Sequence, residues 1–274
     1  MKQLLSSLTQ EQINFYYEKG YLIVNDVLTE EECDIYNNQV RKQANNDFQA
    51  ILNPDRIEFL ISQTLEKINK DNSLKDNLLY IEECKLTSKM TWDIISNPIA
   101  VNVLETLQQS KISYLMSQML FKEANSPYAP QAWSPHQDNT YPRNENNKLP
   151  NGFTTQYITT NFFLKGANKS TGTLYVYPGS HKFGLYDAEN HISYREQKGN
   201  NPGNKISDEI LDQFEKIDCE FKKGDMLVLN GNCIHGSYAN EHPTKSRPLL
   251  SVSYITTGEF FISGNNAHRI EIPL

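Results

Sequence analysis

Phe221-Lys-Lys-Gly-Asp-Met-Leu-Val-Leu-Asn-Gly-Asn-Cys-Ile-His235 is the stretch on which the reading of this chain turns. Gly224-Asp225 is a turn pair, and the apolar run Met226 to Leu229 behind it has the length of a strand, far short of the ~20 residues a membrane helix needs. A turn that launches an apolar strand delivers His235 at its far end. Runs of the same texture recur from about Ser113 onward: Tyr114 to Phe121, Ala132 to Gln137, Thr154 to Leu164, Thr173 to Tyr177, Asp218 to Phe221 and Leu249 to Thr256, parted by Pro, Gly and Asn clusters. Many short strands at such spacing point to a sandwich or jelly-roll barrel rather than a parallel sheet. The irregular segments Asn139 to Asn151 and Lys182 to Lys205 exceed plain connections and are expected to form lids.

Upstream the pattern is mainly helical. Thr9-Gln-Glu-Gln12 and Thr29-Glu-Glu-Glu32 both fit the capping box, a hydroxyl at the N-cap with Gln or Glu three positions on. Between them Tyr21-Leu-Ile-Val24 reads as a short strand after Gly20. Helical spacing is expected again over Ile57 to Ile68 and from Pro98 to Gln109, where Ile99, Val103 and Leu107 recur on one face. No internal repeat or low-complexity linker is visible. The expectation is therefore one domain over residues 1–274, mainly β with a helical N-terminal half (α+β): helical support over 1–112 and a jelly-roll core over 113–274.

Composition excludes several classes. The 274 residues carry 26 Lys+Arg against 33 Asp+Glu, a formal net charge of −7. Nucleic-acid affinity comes largely from phosphate neutralisation, so this balance disfavours a polyanionic partner. No long uncharged apolar stretch and no signal-peptide core are visible, so the expected location is cytoplasmic, with no membrane partner. The cysteines, Cys33, Cys84, Cys219 and Cys233, form no CxxC pair and read as free thiols.

The chemistry starts at His136-Gln-Asp138. In a strand, side chains at i and i+2 share a face, so an imidazole and a carboxylate converge while Gln137 faces away. An HxD alone specifies little, and a loop histidine with an Asp cap reads equally well. His235 is a second candidate ligand, although a satisfied core histidine has the same appearance. Two His and one carboxylate make the facial triad of non-haem Fe(II) oxygenases. Arg247 lies twelve residues beyond His235 and opens the strand Pro-Leu-Leu-Ser-Val-Ser-Tyr254. Arginine is the natural bidentate clamp for a small carboxylate, so this order of residues suits an enzyme that binds a metal and 2-oxoglutarate.

Further motifs carry a resemblance. Gly172-Thr-Leu-Tyr-Val-Tyr-Pro-Gly-Ser-His181 is similar to the G-x-L-x-x-x-P-G-S-H signature of the phytanoyl-CoA dioxygenase family. Phe15-Tyr-Tyr-Glu-Lys-Gly-Tyr-Leu-Ile-Val24, Leu120-Phe-Lys122, Ser134-Pro-His-Gln-Asp138, Gly224-Asp225 and His235-Gly-Ser237 resemble it too, in the family's order and over nearly the whole chain. The resemblance implies a double-stranded β-helix (jelly roll, cupin-like) core, Fe(II) held by His136, Asp138 and His235, and 2-oxoglutarate held by Arg247. It implies further cosubstrate contacts from Lys122, Ser237 and Asn161, the last standing where some relatives carry Trp. It also implies O₂ consumption with release of CO₂ and succinate, hydroxylation being the usual outcome and desaturation or cyclisation the variants. Halogenating relatives replace the carboxylate, so Asp138 argues for the oxygenase branch.

Tyr157 and Thr159 share strand parity with Asn161 and are expected to face the substrate, as is Arg143 in the loop after the HxD. His181 is assigned to structure, bonding locally in its Pro-Gly turn, and His191, His242 and His268 to the solvated surface. The expected substrate is a small molecule, polar or natural-product-like rather than CoA-linked, because the chain already carries excess negative charge. Two other readings remain: a non-catalytic jelly-roll binding protein, and a Zn or Mn enzyme using the same ligands without 2-oxoglutarate.

Overall fold

The computed structural model describes residues 8–47, 56–58, 89–125, 129–130, 132–140, 158–187, 189–191, 203–258, 261–262, 268–269 and 272–274. Helix α1 (Gln10–Lys19) starts at the expected capping box, in which the Thr9 hydroxyl accepts from the Gln12 backbone N–H and the Gln12 side chain accepts in return. Strand β1 (Tyr21–Val24) and helix α2 (Glu30–Asp47) follow, the latter opened by the matching Thr29–Glu32 box. After β2 (Arg56–Glu58) come α3 (Lys89–Ile95) and α4 (Pro98–Gln108). Asn97 caps α4 and Pro98 opens it, where a missing N–H costs nothing.

The strands are β3 (Ile112–Leu120), β4 (Trp133–His136), β5 (Ile158–Phe163), β6 (Leu174–Val176), β7 (Glu189–His191) and β8 (Gly203–Lys205). A short helix α5 (Asp208–Leu211) precedes β9 (Ile217–Asp218), β10 (Met226–Asn230), β11 (His235–Ser237) and β12 (Leu249–Thr256). Three short strands end the chain: β13 (Phe261–Ile262), β14 (His268–Arg269) and β15 (Ile272–Pro273). Eleven of these strands form a seven-stranded sheet in the order β1-β10-β5-β12-β3-β15, with β2 also on β3, and a four-stranded sheet in the order β4-β11-β6-β9, while β7 pairs with β8 and β13 with β14. Both sheets are antiparallel throughout.

Strand β10 shows why the apolar run is unbroken. Met226 and Val228 join a core made with the helices, together with Tyr36, Val103, Leu104, Phe162, Leu250 and Tyr254. Leu227 and Leu229 point the other way, against Phe163, Leu249 and the small sheet's Leu174 and Val176. Both parities are therefore apolar, each fully buried side chain contributing about 2 kcal/mol. On β5 the parity is mixed. Ile158 and Phe162 face the helices, whereas Thr159 and Asn161 share the inner side with Phe163, leaving polar groups between the two sheets.

Several expectations need correction. The helix expected over Ile57 to Ile68 begins instead as strand, since Arg56 to Glu58 pair with Leu120 to Gln118 of β3; residues 59–68 lie outside the described residues. Of Asp218 to Phe221 only Asp218 lies in a strand, and Phe221 makes an isolated bridge to Ala167. His181 does not bond locally: its Nε2 sits 3.0 Å from the carbonyl oxygen of Tyr17, satisfying the C-terminal end of α1. Gly179 N–H donates to Lys19 and Asn230 N–H to Gly20 at the same helix end. His242 is half-buried, its Nδ1 accepting from the backbone of Thr244 and Lys245. Cys33, Cys219 and Cys233 are free and buried, each thiol pushed up to about 12 by burial.

Gly224 holds a φ of +93°, and a Cβ there would meet the Leu28 carbonyl oxygen at 2.2 Å, so the turn that launches β10 admits glycine alone. Gly224→Ala is expected to destabilise the protein by at least about 1 kcal/mol, read as a lower urea midpoint at unchanged slope. Burial holds the folded-state pKa of His181 below its ordinary 6.5, so the folded chain binds fewer protons there. That contribution is complete above pH 6.5 and is lost as pH falls toward the lower folded value. Wild type should lose more stability between about pH 7 and 5 than His181→Gln does; an equal loss would exclude His181 as the source.

Candidate metal centre

Antiparallel pairing of β11 with β4 sets His235 directly opposite His136, with ring centroids 4.4 Å apart. Asp138 does not reach them by strand alternation, as its spacing had suggested. β4 ends at His136, and Asp138 opens a one-turn 3-10 helix, Asp138–Thr140, that folds the carboxylate back toward the rings. Its Oδ1 lies 3.5 Å from His136 Nε2 and 3.8 Å from His235 Nε2. One ligand atom from each of the three residues lies within 4.8 Å of the others, and all three residues are buried.

Neighbouring backbone sets the tautomers. His136 Nδ1 is 2.7 Å from the Ser134 carbonyl and His235 Nδ1 is 3.0 Å from the Cys233 carbonyl. A carbonyl only accepts, so both Nδ1 atoms carry a proton and both Nε2 atoms are turned toward the carboxylate. Burial opposes ionisation of Asp138, yet its electrostatic pairing with the His235 and His136 rings and the hydrogen bond from the Thr159 hydroxyl together hold its carboxyl below the usual range. Burial likewise opposes a charged His136, but the bond to Asp138 and its charge outweigh it and raise the pKa; for His235 burial prevails and lowers it. Three potential electron-pair donors thus converge in the buried interior, an arrangement that a divalent cation satisfies.

Thr159, expected to face the substrate, does lie on the inner side of β5, and its hydroxyl donates to Asp138 Oδ2 at 2.5 Å. Asn161 lies two residues along on the same side and is buried, paired across the sheet with Leu227 and Ser251. Arg143 and Tyr157 lie outside the described residues.

Lys122, Ser237 and Arg247, distant in sequence, meet in one place. Lys122 Nζ donates to Ser237 Oγ at 3.1 Å and to the Tyr238 carbonyl. Arg247, 2% exposed, donates from Nε to the Gly172 carbonyl at 3.0 Å, and its backbone N–H to the Lys122 carbonyl. Arg247 Nη1 is buried with no hydrogen-bond partner among the described residues. Burial alone pushes its pKa down to about 9, which still leaves it charged at neutral pH. Gly172 is the wall between the two cations. At a φ of +81°, a Cβ there would meet the Tyr238 carbonyl at 2.9 Å and the Lys122 stem at 3.0 Å. Its motif was visible in the sequence, but the reason for glycine was not, because one cation lies 50 residues before it and the other 75 residues after it.

Comparison with known proteins places this geometry. Residues 16–248 match the model of the family described as Phytanoyl-CoA dioxygenase (PhyH). "Phytanoyl-CoA dioxygenase 1" of Oryza sativa subsp. japonica is 25% identical over 97% of this chain and 96% of its own length. "Phytanoyl-CoA dioxygenase domain-containing protein 1" of Danio rerio is 24% identical over 85% of each. Among solved structures, the epimerase SnoN in complex with Fe3+, alpha ketoglutarate and nogalamycin RO superposes with a TM-score of 0.67 at 15% identity, over 92% of this chain and 85% of that one. EctD from S. alaskensis, solved with 2-oxoglutarate and 5-hydroxyectoine, gives 0.61 at 15% identity over 100% and 88%. These two structures share the fold. The family match spans α1 to the threshold of β12 and takes in both halves of the converging triad and the buried arginine, and the chain belongs to the phytanoyl-CoA dioxygenase family.

Proposed function

We propose that this protein is an Fe(II)- and 2-oxoglutarate-dependent dioxygenase that oxidises a small molecule, with the two sheets forming a double-stranded β-helix (jelly roll) within a single domain. His136, Asp138 and His235 hold the metal. Arg247 binds the remote carboxylate of 2-oxoglutarate, assisted by Lys122, Ser237 and Asn161. The observation that carries this reading is the Nη1 of a fully buried, charged Arg247, without a hydrogen-bond partner among the described residues, in a chain that also gathers three convergent donors. A guanidinium left without an anion in the interior is costly, and among the described residues no carboxylate pairs with it; a dicarboxylate supplies what is missing.

When bound, the iron supplies O₂ activation coupled to decarboxylation of the 2-oxo acid to succinate and CO₂. The chain's residues do the rest. Ser134 and Cys233 carbonyls hold each ligand ring by Nδ1, so that Nε2 is the atom each ring turns toward the metal position. Thr159 holds Asp138 in one orientation and stabilises its charged form. Apolar walls from Phe163, Leu174, Val176 and Leu229 keep water from the inner face. Nearby EctD and SnoN structures contain small polar or natural-product ligands, and the net charge of −7 here disfavours a CoA thioester, so the substrate is read as small and polar or natural-product-like. Arg143 and Tyr157 are kept as proposed substrate contacts, and the compartment as cytoplasmic.

Anaerobic addition of Fe(II) and 2-oxoglutarate should generate the weak visible charge-transfer band of the chelate. His235→Ala should abolish it, and Arg247→Ala should raise the 2-oxoglutarate concentration required by about a hundredfold or more, ~3 kcal/mol. No band in wild type, or a band unchanged in both variants, would sink the assignment and leave the binding-protein or Zn/Mn reading. A second expectation concerns the shared wall: Gly172→Ala should weaken 2-oxoglutarate binding by about tenfold while leaving metal binding intact, measured by calorimetry on the two ligands separately.

A further inference from the structure

The β4–β11 ladder aligns His136 with His235, but it stops there. Asp138 lies two residues past the strand end, in a helix of one turn, where no ladder holds it. The residues on either side of it are both amides, and both are bonded to one residue. Gln137, fully buried, donates from Nε2 to the Asn232 carbonyl at 2.7 Å. Asn139, 1% exposed, donates from Nδ2 to Asn232 Oδ1 at 2.7 Å, and its backbone N–H reaches the Gly231 carbonyl at 2.8 Å. Asn232 is itself fixed, its N–H donating to Asn230 Oδ1 at 2.9 Å, and it stands three residues before His235. Gln137 spends its remaining capacity on a second loop, donating to the Gly184 carbonyl and accepting from the Tyr186 N–H, each at 2.8 Å.

We propose that Asn232 is a positioning residue of the metal centre: through Gln137 and Asn139 it anchors Asp138 from both sides to the segment that delivers His235. The inference rests on the proposed metal site. None of the three amides is a ligand, and each faces its hydrogen-bond partners in the protein interior. Their effect is to fix the distance between the carboxylate and the two rings before a metal arrives. A buried amide has two donors and two acceptor sites, so removing one partner strands the other and the turn relaxes.

The test uses the metal-free full chain titrated with Co(II), whose visible d–d absorption reports both affinity and coordination geometry without turnover. Asn139→Ala and Asn232→Ala are each expected to weaken Co(II) binding by about tenfold and to shift the band. The double variant should be no weaker than the worse single, because both remove one bond. Asn232→Asp keeps an acceptor for Asn139 Nδ2 and should restore the wild-type band position. Thermal unfolding of the metal-free variants separates this from loss of fold; if Asn232→Ala does not fold, Asn139→Ala and Asn232→Asp decide alone. Wild-type affinity and band in the single variants, or strictly additive losses in the double, would overturn the proposal. Failure of wild type to bind Co(II) would overturn the metal site beneath it.

Discussion

The geometry of this protein depends on one ladder contact, the antiparallel pairing of β11 with β4 that sets His235 opposite His136. Two histidines 99 residues apart in the numbering become cross-strand neighbours, and their lone pairs then share a point with Asp138. Because register in a sheet shifts side chains to the other face with every single-residue slip, the turns at both ends of the neighbouring strands are under the same constraint as the ligands. Gly224 at the head of β10 and the Asn230-Gly-Asn232 turn at its foot set the approach of β11, and β6 on its other side locks it.

Much of this was legible in the sequence. Capping boxes at Thr9 and Thr29 mark helix starts through chemistry confined to four residues, and both helices begin where expected. The β10 and β12 strands match the runs Met226 to Asn230 and Leu249 to Thr256, since strands buried on both faces leave a dense apolar signal. Local patterning failed at Ile57 and Glu58, whose pairing with β3 is a tertiary matter that helical spacing does not contain. It failed also at Asp138, where the i, i+2 rule brought the right residues together for the wrong reason: the strand had already ended and a 3-10 turn did the work.

The candidate anion pocket divides in the same way. Lys122, Ser237 and Arg247 could be named from ordered motifs, and the fold brings them together. What linear order concealed was the arrangement of the unreactive atoms between them, such as the Gly172 carbonyl under Arg247 Nε and the amide bonds of Asn232. Such partners are backbone groups or common polar residues with no distinctive spacing. Only their convergence in space marks them, and convergence is set by sheet topology.

The open donor on Arg247 ties folding to supply. A chain that encloses a charged guanidinium with no anion beside it among the described residues pays desolvation in every copy that lacks a ligand. Any dicarboxylate that occupies the pocket stabilises only the folded form, by an amount that grows logarithmically with its concentration. On the proposed reading, resistance to unfolding would rise with the concentration of the oxo acid, and the same buried donor would serve binding and folding together.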